Sequence, residues 1–117
     1  MARLARIAFA ATRTDDELDP MTLDVFLDGG RRVAQNFPIS GWWGKLKGSG
    51  DFEPFVFFPS GKMDFGTGFD DEDRHASTNI QTKRLDVGEY VTVYEGDYES
   101  CFVVKQVLWL DELQAAV

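Results

Sequence analysis

The residues that invite a chemical reading are carboxylates and indoles. Asp15, Asp16, Glu17 and Asp19 crowd one short segment, and Asp70, Asp71, Glu72 and Asp73 form a second. Carboxylate oxygens at this density suit a hard cation such as calcium, which takes several oxygen ligands at once. If both segments meet at one end of a fold, Asp15, Asp19, Asp71 and Asp73 are the candidate ligands of a divalent-cation cup. The alternative is a pair of solvated turns whose charge aids solubility, the usual fate of a charge run. A third feature is Gly41-Trp42-Trp43-Gly44-Lys45-Leu46-Lys47-Gly48, which reads as a glycine-rich loop with an aromatic anchor. Trp42 and Trp43, with Lys45 and Lys47, can stack on a base, a sugar ring or a partner's surface. Adjacent residues of an extended strand face opposite ways, so one indole can equally plug the core while the other covers its edge.

Nucleophilic chemistry finds little support. His75 is the one imidazole and Cys101 the one thiol, and no Gly-x-Ser-x-Gly segment seats a serine beside a base. Cys101 lies in an apolar run and reads as inert core. One His and one Cys do not make a zinc set. Ser60-Gly61-Lys62 and Gly44-Lys45 lack the upstream glycine and the following hydroxyl of a phosphate loop, so both read as turns. A small carboxylate-dependent enzyme, such as a glycosidase or isomerase using an Asp/Glu pair, stays open as an alternative. The first expectation is a non-enzymatic binding or assembly module. Calcium is the one cofactor that the residue types suggest.

Charge narrows the partners. The chain has 117 residues and a net charge of −8, from 12 Lys and Arg against 20 Asp and Glu. Residues 1–58 hold 7 basic and 8 acidic groups, and residues 59–117 hold 5 and 12. Such a chain repels phosphate backbones and anionic lipid, so duplex nucleic acid is not expected as a partner. A protein partner or self-association is expected instead, and no small-molecule ligand is singled out. A single cysteine allows no intrachain disulfide and fits a reducing compartment. The apolar stretch Ile7–Ala11 is too short for a signal peptide, and no run is long enough to span a membrane. These features lead to the expectation of a cytoplasmic protein of bacterial or phage origin.

The elements that must position these residues are strands. Length allows one domain over residues 1–117. Short alternating runs between Gly, Pro, Asn and Asp, with ten Phe, three Trp and three Tyr, predict an all-β fold. The expected form is a small antiparallel β-sandwich or partly open β-barrel. Strands are expected at Leu4–Thr12 and Thr22–Leu27, with Asp28-Gly29-Gly30 turning the chain into a return over Arg31–Phe37. Further strands are expected at Phe55–Phe58, Met63–Phe69, Thr78–Leu85, Tyr90–Tyr94 and Tyr98–Leu110, with Phe69–Ser77 as an acidic loop. Tyr98–Leu110 is apolar on both faces, the pattern of a central or sandwiched strand. A short C-terminal helix is expected over Asp111–Val117.

Two local resemblances follow. Asp19-Pro20, leading into Met21–Leu27, resembles the first calcium loop of C2 domains, and Asp71, Asp73 and Asn79 are similar in spacing to their third. The resemblance implies a C2-like calcium-binding domain. Arg13 stands where the first loop has an Asp, and Asn79 where the third has one. Val87-Gly88-Glu89-Tyr90-Val91-Thr92-Val93, then Gly96-Asp97-Tyr98 and Phe102-Val103-Val104, resembles the closing hairpin of small β-barrel adaptors in phage heads and tails. That likeness implies an assembly role and no catalytic residue.

Overall fold

A computed structural model describes residues 2–12, 20–44, 53–67 and 73–111, with 67, 73 and 74 described in backbone alone. Eight strands run through the described residues: β1 (Arg3–Ala11), β2 (Met21–Leu27), β3 (Ile39–Trp43), β4 (Glu53–Phe57), β5 (Lys62–Thr67), β6 (Asp73–Thr78), β7 (Tyr90–Glu95) and β8 (Tyr98–Trp109). Each pairs antiparallel with the next, and β8 returns to β1, closing a barrel. The all-β expectation therefore holds. Of the architectures left open it is the barrel, and the ring is closed rather than partly open.

Alternation explains the interior. Ala5, Ile7 and Phe9 on β1 point inward, as do Met21, Leu23, Val25 and Leu27 on β2. Phe55, Phe57, Met63, Val91, Val93, Phe102 and Val104 complete the packing from the other strands. An eight-stranded barrel is just wide enough for side chains to fill it. Four positions of β2 buried at a period of two mean that a one-residue register slip turns all of them to solvent.

β3 corrects the expectation of a glycine-rich loop at its first three residues, Gly41 to Trp43. Gly41 is inward-facing, and a Cβ there falls 2.6 Å from the Phe55 ring and 2.7 Å from the Thr22 carbonyl oxygen. The glycine is a packing residue inside a strand, admitting Phe55 to the interior. The return over Arg31–Phe37 is also corrected. Asp28 Oδ1 accepts hydrogen bonds from the Gly30 and Arg32 amides, and the turn forms, but only Leu27 and Val33 bridge. Next to that bridge, Gln35 Oε1 accepts from the Phe26 amide at 3.0 Å, and a side chain stands in for a strand.

The strand expected over Thr78–Leu85 lies earlier, at Asp73–Thr78, within the span read as an acidic loop. A single 3-10 turn, Ile80–Thr82, follows it. Asn79 accounts for the difference. Its Oδ1 accepts from the Thr92 amide at 2.9 Å, replacing the backbone ladder where β6 leaves β7. The β4–β5 ladder stops after Val56↔Asp64 for a similar local reason. The next position on β4 facing β5 is Pro54, which has no N–H to donate. Opposite it, the Gly66 amide donates to Asp64 Oδ1 instead, with Gly66 at φ +82°.

One end of the barrel carries two cations beside an indole. Arg3 lies 4.2 Å and Arg31 5.5 Å from the Trp109 ring centre. Arg3 holds Asp111 through two bonds of 2.9 and 3.1 Å, and Arg31 holds Asp86 at 3.2 Å. The Arg31 backbone is in the left-handed region, at φ +59°. The C-terminal helix expected over Asp111–Val117 falls, apart from Asp111, outside the described residues.

Gly41→Ala tests the packing role of β3. It should cost about 2–3 kcal/mol in urea unfolding, the scale of an overpacked core. Gly29→Ala, with nothing within 4 Å of the added methyl, should stay within about 0.5 kcal/mol of the native protein.

Candidate functional site

A filled interior leaves the outward-facing positions to do the work. On β1 these are Leu4, Arg6, Ala8 and Ala10. The most organised part of the outer wall is the sheet β8–β1–β2–β3. Arg6 and Asp24 are direct cross-strand neighbours, and they meet in a two-pronged ion pair, Nε to Oδ1 at 2.8 Å and Nη2 to Oδ2 at 2.9 Å. The Asp24 hydrogen bond raises the Arg6 pKa above its ordinary value, against the opposing effect of burial. The guanidinium is thus charged throughout the pH range of the folded protein. Its flat face lies 4.9 Å from the Trp42 ring centre. Carboxylate, guanidinium and indole form one fixed stack on a rigid sheet.

Beside this stack is a groove of about 350 Å³. Arg6, Ala8, Thr22, Trp42, Gln106 and Leu108 line it. Its depth comes from Ala8, a small residue between the large side chains of Trp42 and Leu108. The register shift of β8 between Ala8 and Phe9 sits at the same place, a bulge of the kind that re-aims side chains. A second hollow of about 300 Å³ lies along β1 on the other side of Arg6, with Leu4, Phe26 and Leu110 in its wall. Phe37, 49% exposed, packs edge-on against Phe26 at 6.1 Å.

The two indoles of the sequence divide as neighbours on a strand must. Trp42 faces out into the groove. Trp43 faces in, edge-on to Phe102 at 5.2 Å and 6.2 Å from Phe65. Lys45 and Lys47 lie outside the described residues, although Gly44, next to Lys45, donates from its amide to the Pro20 carbonyl at 2.7 Å.

Asp15, Asp19 and Asp71 also lie outside the described residues. Asp73 opens β6, and only its backbone is described. The strand ends that carry the two acidic runs share one end of the barrel. They stand four strands apart round the ring, at β1–β2 and at β5–β6. Among the described residues, no three His, Cys, Asp or Glu side chains group as metal ligands. None of the described carboxylates is buried either, so the described residues offer no shielded Asp/Glu pair for acid–base work. His75 is exposed, opposite Asp64 on β5.

Cys101 corrects the core expectation. It is exposed, because the odd positions 101 and 103 of β8 face outward. The outer face of β8 is mixed rather than apolar: the register shift turns Val107 and Trp109 inward, and Cys101, Val103 and Leu108 share the outside with the exposed Lys105 and Gln106. Charged side chains also stand on the outer wall at Arg6, Asp24, Lys62 and Asp64, where membrane barrels carry an apolar band. No described helix is long and apolar enough to cross a membrane.

Arg6, Asp24 and Leu108 are the site residues that sequence reasoning missed. Arg6 and Asp24 each sit at a polar position between inward apolar residues, which is a signal for exposure. Their partnership depends on the β1–β2 register, which neither segment contains alone.

Replacing each indole separates the two roles. Trp43→Ala should lose about 3 kcal/mol in thermal or urea unfolding, as an aromatic removed from packing against Phe102. Trp42→Ala should lose about 1 kcal/mol, chiefly its contact with Arg6.

Comparison with known protein families, curated proteins and solved structures finds no match to this chain.

Proposed function

We propose that this chain is a non-enzymatic binding or assembly module that engages a protein partner through the outer face of β8–β1–β2–β3. The observation that carries the reading is the Trp42–Arg6–Asp24 stack beside its groove. Trp and Arg are the residues most enriched at the energetic centres of protein interfaces. Here both are held in place before any partner arrives, so little side-chain entropy is lost on binding. Apolar side chains flank the stack on both sides, at Leu108 and at Phe26, in the manner of an interface core.

The opposed charges of Arg6 and Asp24 leave this face near neutral on an acidic chain. Phosphate backbones find no basic track on it, which supports a protein rather than duplex nucleic acid as partner. A cytoplasmic setting is part of the same proposal, supported by a thiol standing exposed at Cys101.

The test is affinity capture from the native host with three baits: the native chain, Trp42→Ala and Leu108→Lys. Both substitutions lie on the outer wall, and near-ultraviolet circular dichroism checks that each variant folds. The expected result is a protein, or a second copy of the chain, retained by the native bait and lost from both variants. Identical retention by all three folded baits contradicts the reading.

A further inference from the structure

We propose that the β7–β8 hairpin is a second docking surface, and that its occupant is an arginine- or lysine-rich segment of a protein partner. The hairpin lies on the flank of β8 away from β1, so the inference stands independently of the Trp42 groove. Its ground is where the chain places its tyrosines and its unpaired carboxylates.

The chain has three tyrosines, and all three are on this hairpin. Tyr90 is 58% exposed, Tyr94 39% and Tyr98 80%, whereas Phe9, Phe55, Phe57 and Phe102 are buried. Tyr90 and Tyr94 share the outer face of β7, four residues and about 14 Å apart. Thr92 lies between them, with Cys101 across from it on β8. Small side chains between two rings leave a shallow trough, and Glu99 stands opposite Tyr94 at one end of it. Tyr98 is on the other face of the hairpin, the face that carries Phe102 into the core, and yet it is exposed. The tip therefore stands clear of the packed interior and offers rings on both faces.

Charge names the occupant. From Asp86 to Val104 the sequence holds five acidic residues and no basic one. Elsewhere Asp24 meets Arg6, Asp86 meets Arg31 and Arg84, Glu89 meets Lys83, and Asp111 meets Arg3. Asp97 and Glu99 have no such partner among the described residues, and no hydrogen bond there holds the three tyrosine hydroxyls. Ring faces beside uncompensated carboxylates attract guanidinium and ammonium groups. A second copy of the chain, at −8, brings the wrong charge. The rings favour organic cations over a metal ion, and their spread over two faces suits several cations carried on one segment.

The test is fluorescence anisotropy of a labelled peptide alternating arginine and serine. It is run at physiological salt, where charges more than about 8 Å away are screened, and thermal melting checks the fold of each variant. The native chain should bind this peptide and should not bind the same peptide with glutamine for arginine. Tyr94→Ala/Tyr98→Ala should weaken binding about tenfold, while Tyr94→Phe/Tyr98→Phe, which keeps the ring faces, should stay within about twofold of the native chain. Asp97→Asn/Glu99→Gln should also weaken it about tenfold. Asp70→Asn/Glu72→Gln removes the same net charge from another segment and should change it less than about twofold.

A native chain that does not bind the arginine peptide overturns the proposal, as does native-strength binding by the folded Tyr94→Ala/Tyr98→Ala variant. Equal loss from the two charge-neutralised variants overturns it as well, because the attraction then belongs to the acidic chain as a whole. Self-association of the native chain that Tyr94→Ala/Tyr98→Ala abolishes in sedimentation also overturns it, since the hairpin then seats a second copy.

Discussion

Closure of β8 onto β1 is the constraint from which the rest follows. Once the ring is shut, every inward position of the eight strands belongs to packing. Phe9, Phe57 and Phe102 alone place three rings in the interior, each no more than 1% exposed. A barrel of this size has no lumen left for a ligand once such side chains fill it. Chemistry or recognition by the described residues must therefore use the outer wall or the barrel ends. Closure also creates the candidate site, because Leu108 and Gln106 reach the Trp42 groove only when β8 lies beside β1.

Strands whose alternation and turn are local were legible from the sequence. β7 and β8 are the best case. Val91, Val93, Phe102 and Val104 alternate, and Gly96 takes the left-handed conformation of the turn at φ +59°. β1 and β2 were legible for the same reason. β3 was hidden by its own packing device, since Gly41 looks like a loop residue until the Phe55 ring that occupies its space is known. β6 was hidden because it opens inside an acidic run, its outward His75 and Ser77 are polar, and its buried Ala76 and Thr78 are small. The segment after β2 looked like a strand, yet its pairing is taken over by the Gln35 amide.

The candidate site was half legible. A tryptophan pair on an extended segment implies one indole in and one out, and the structure places Trp43 inward and Trp42 outward. Nothing in either segment announces that Arg6 will lie over Trp42, because that contact spans three strands. Long-range pairing between β1 and β8 has no local signature either, with Ile7 and Val107 a hundred residues apart. The acidic runs were conspicuous, and the described strand ends next to them share one end of the barrel. The flanking pairs, β1–β2 and β5–β6, stand on opposite sides of the ring.

Through-space proton NMR contacts across the β1–β8 seam test the closed, filled barrel most directly. Contacts joining Ala5 to Trp109 and Ile7 to Val107, with slowly exchanging amides along both strands, are the predicted result. Fast amide exchange along β1 with no contact to β8 contradicts it. In that case the interior is open, and the groove between Trp42 and Leu108 does not exist.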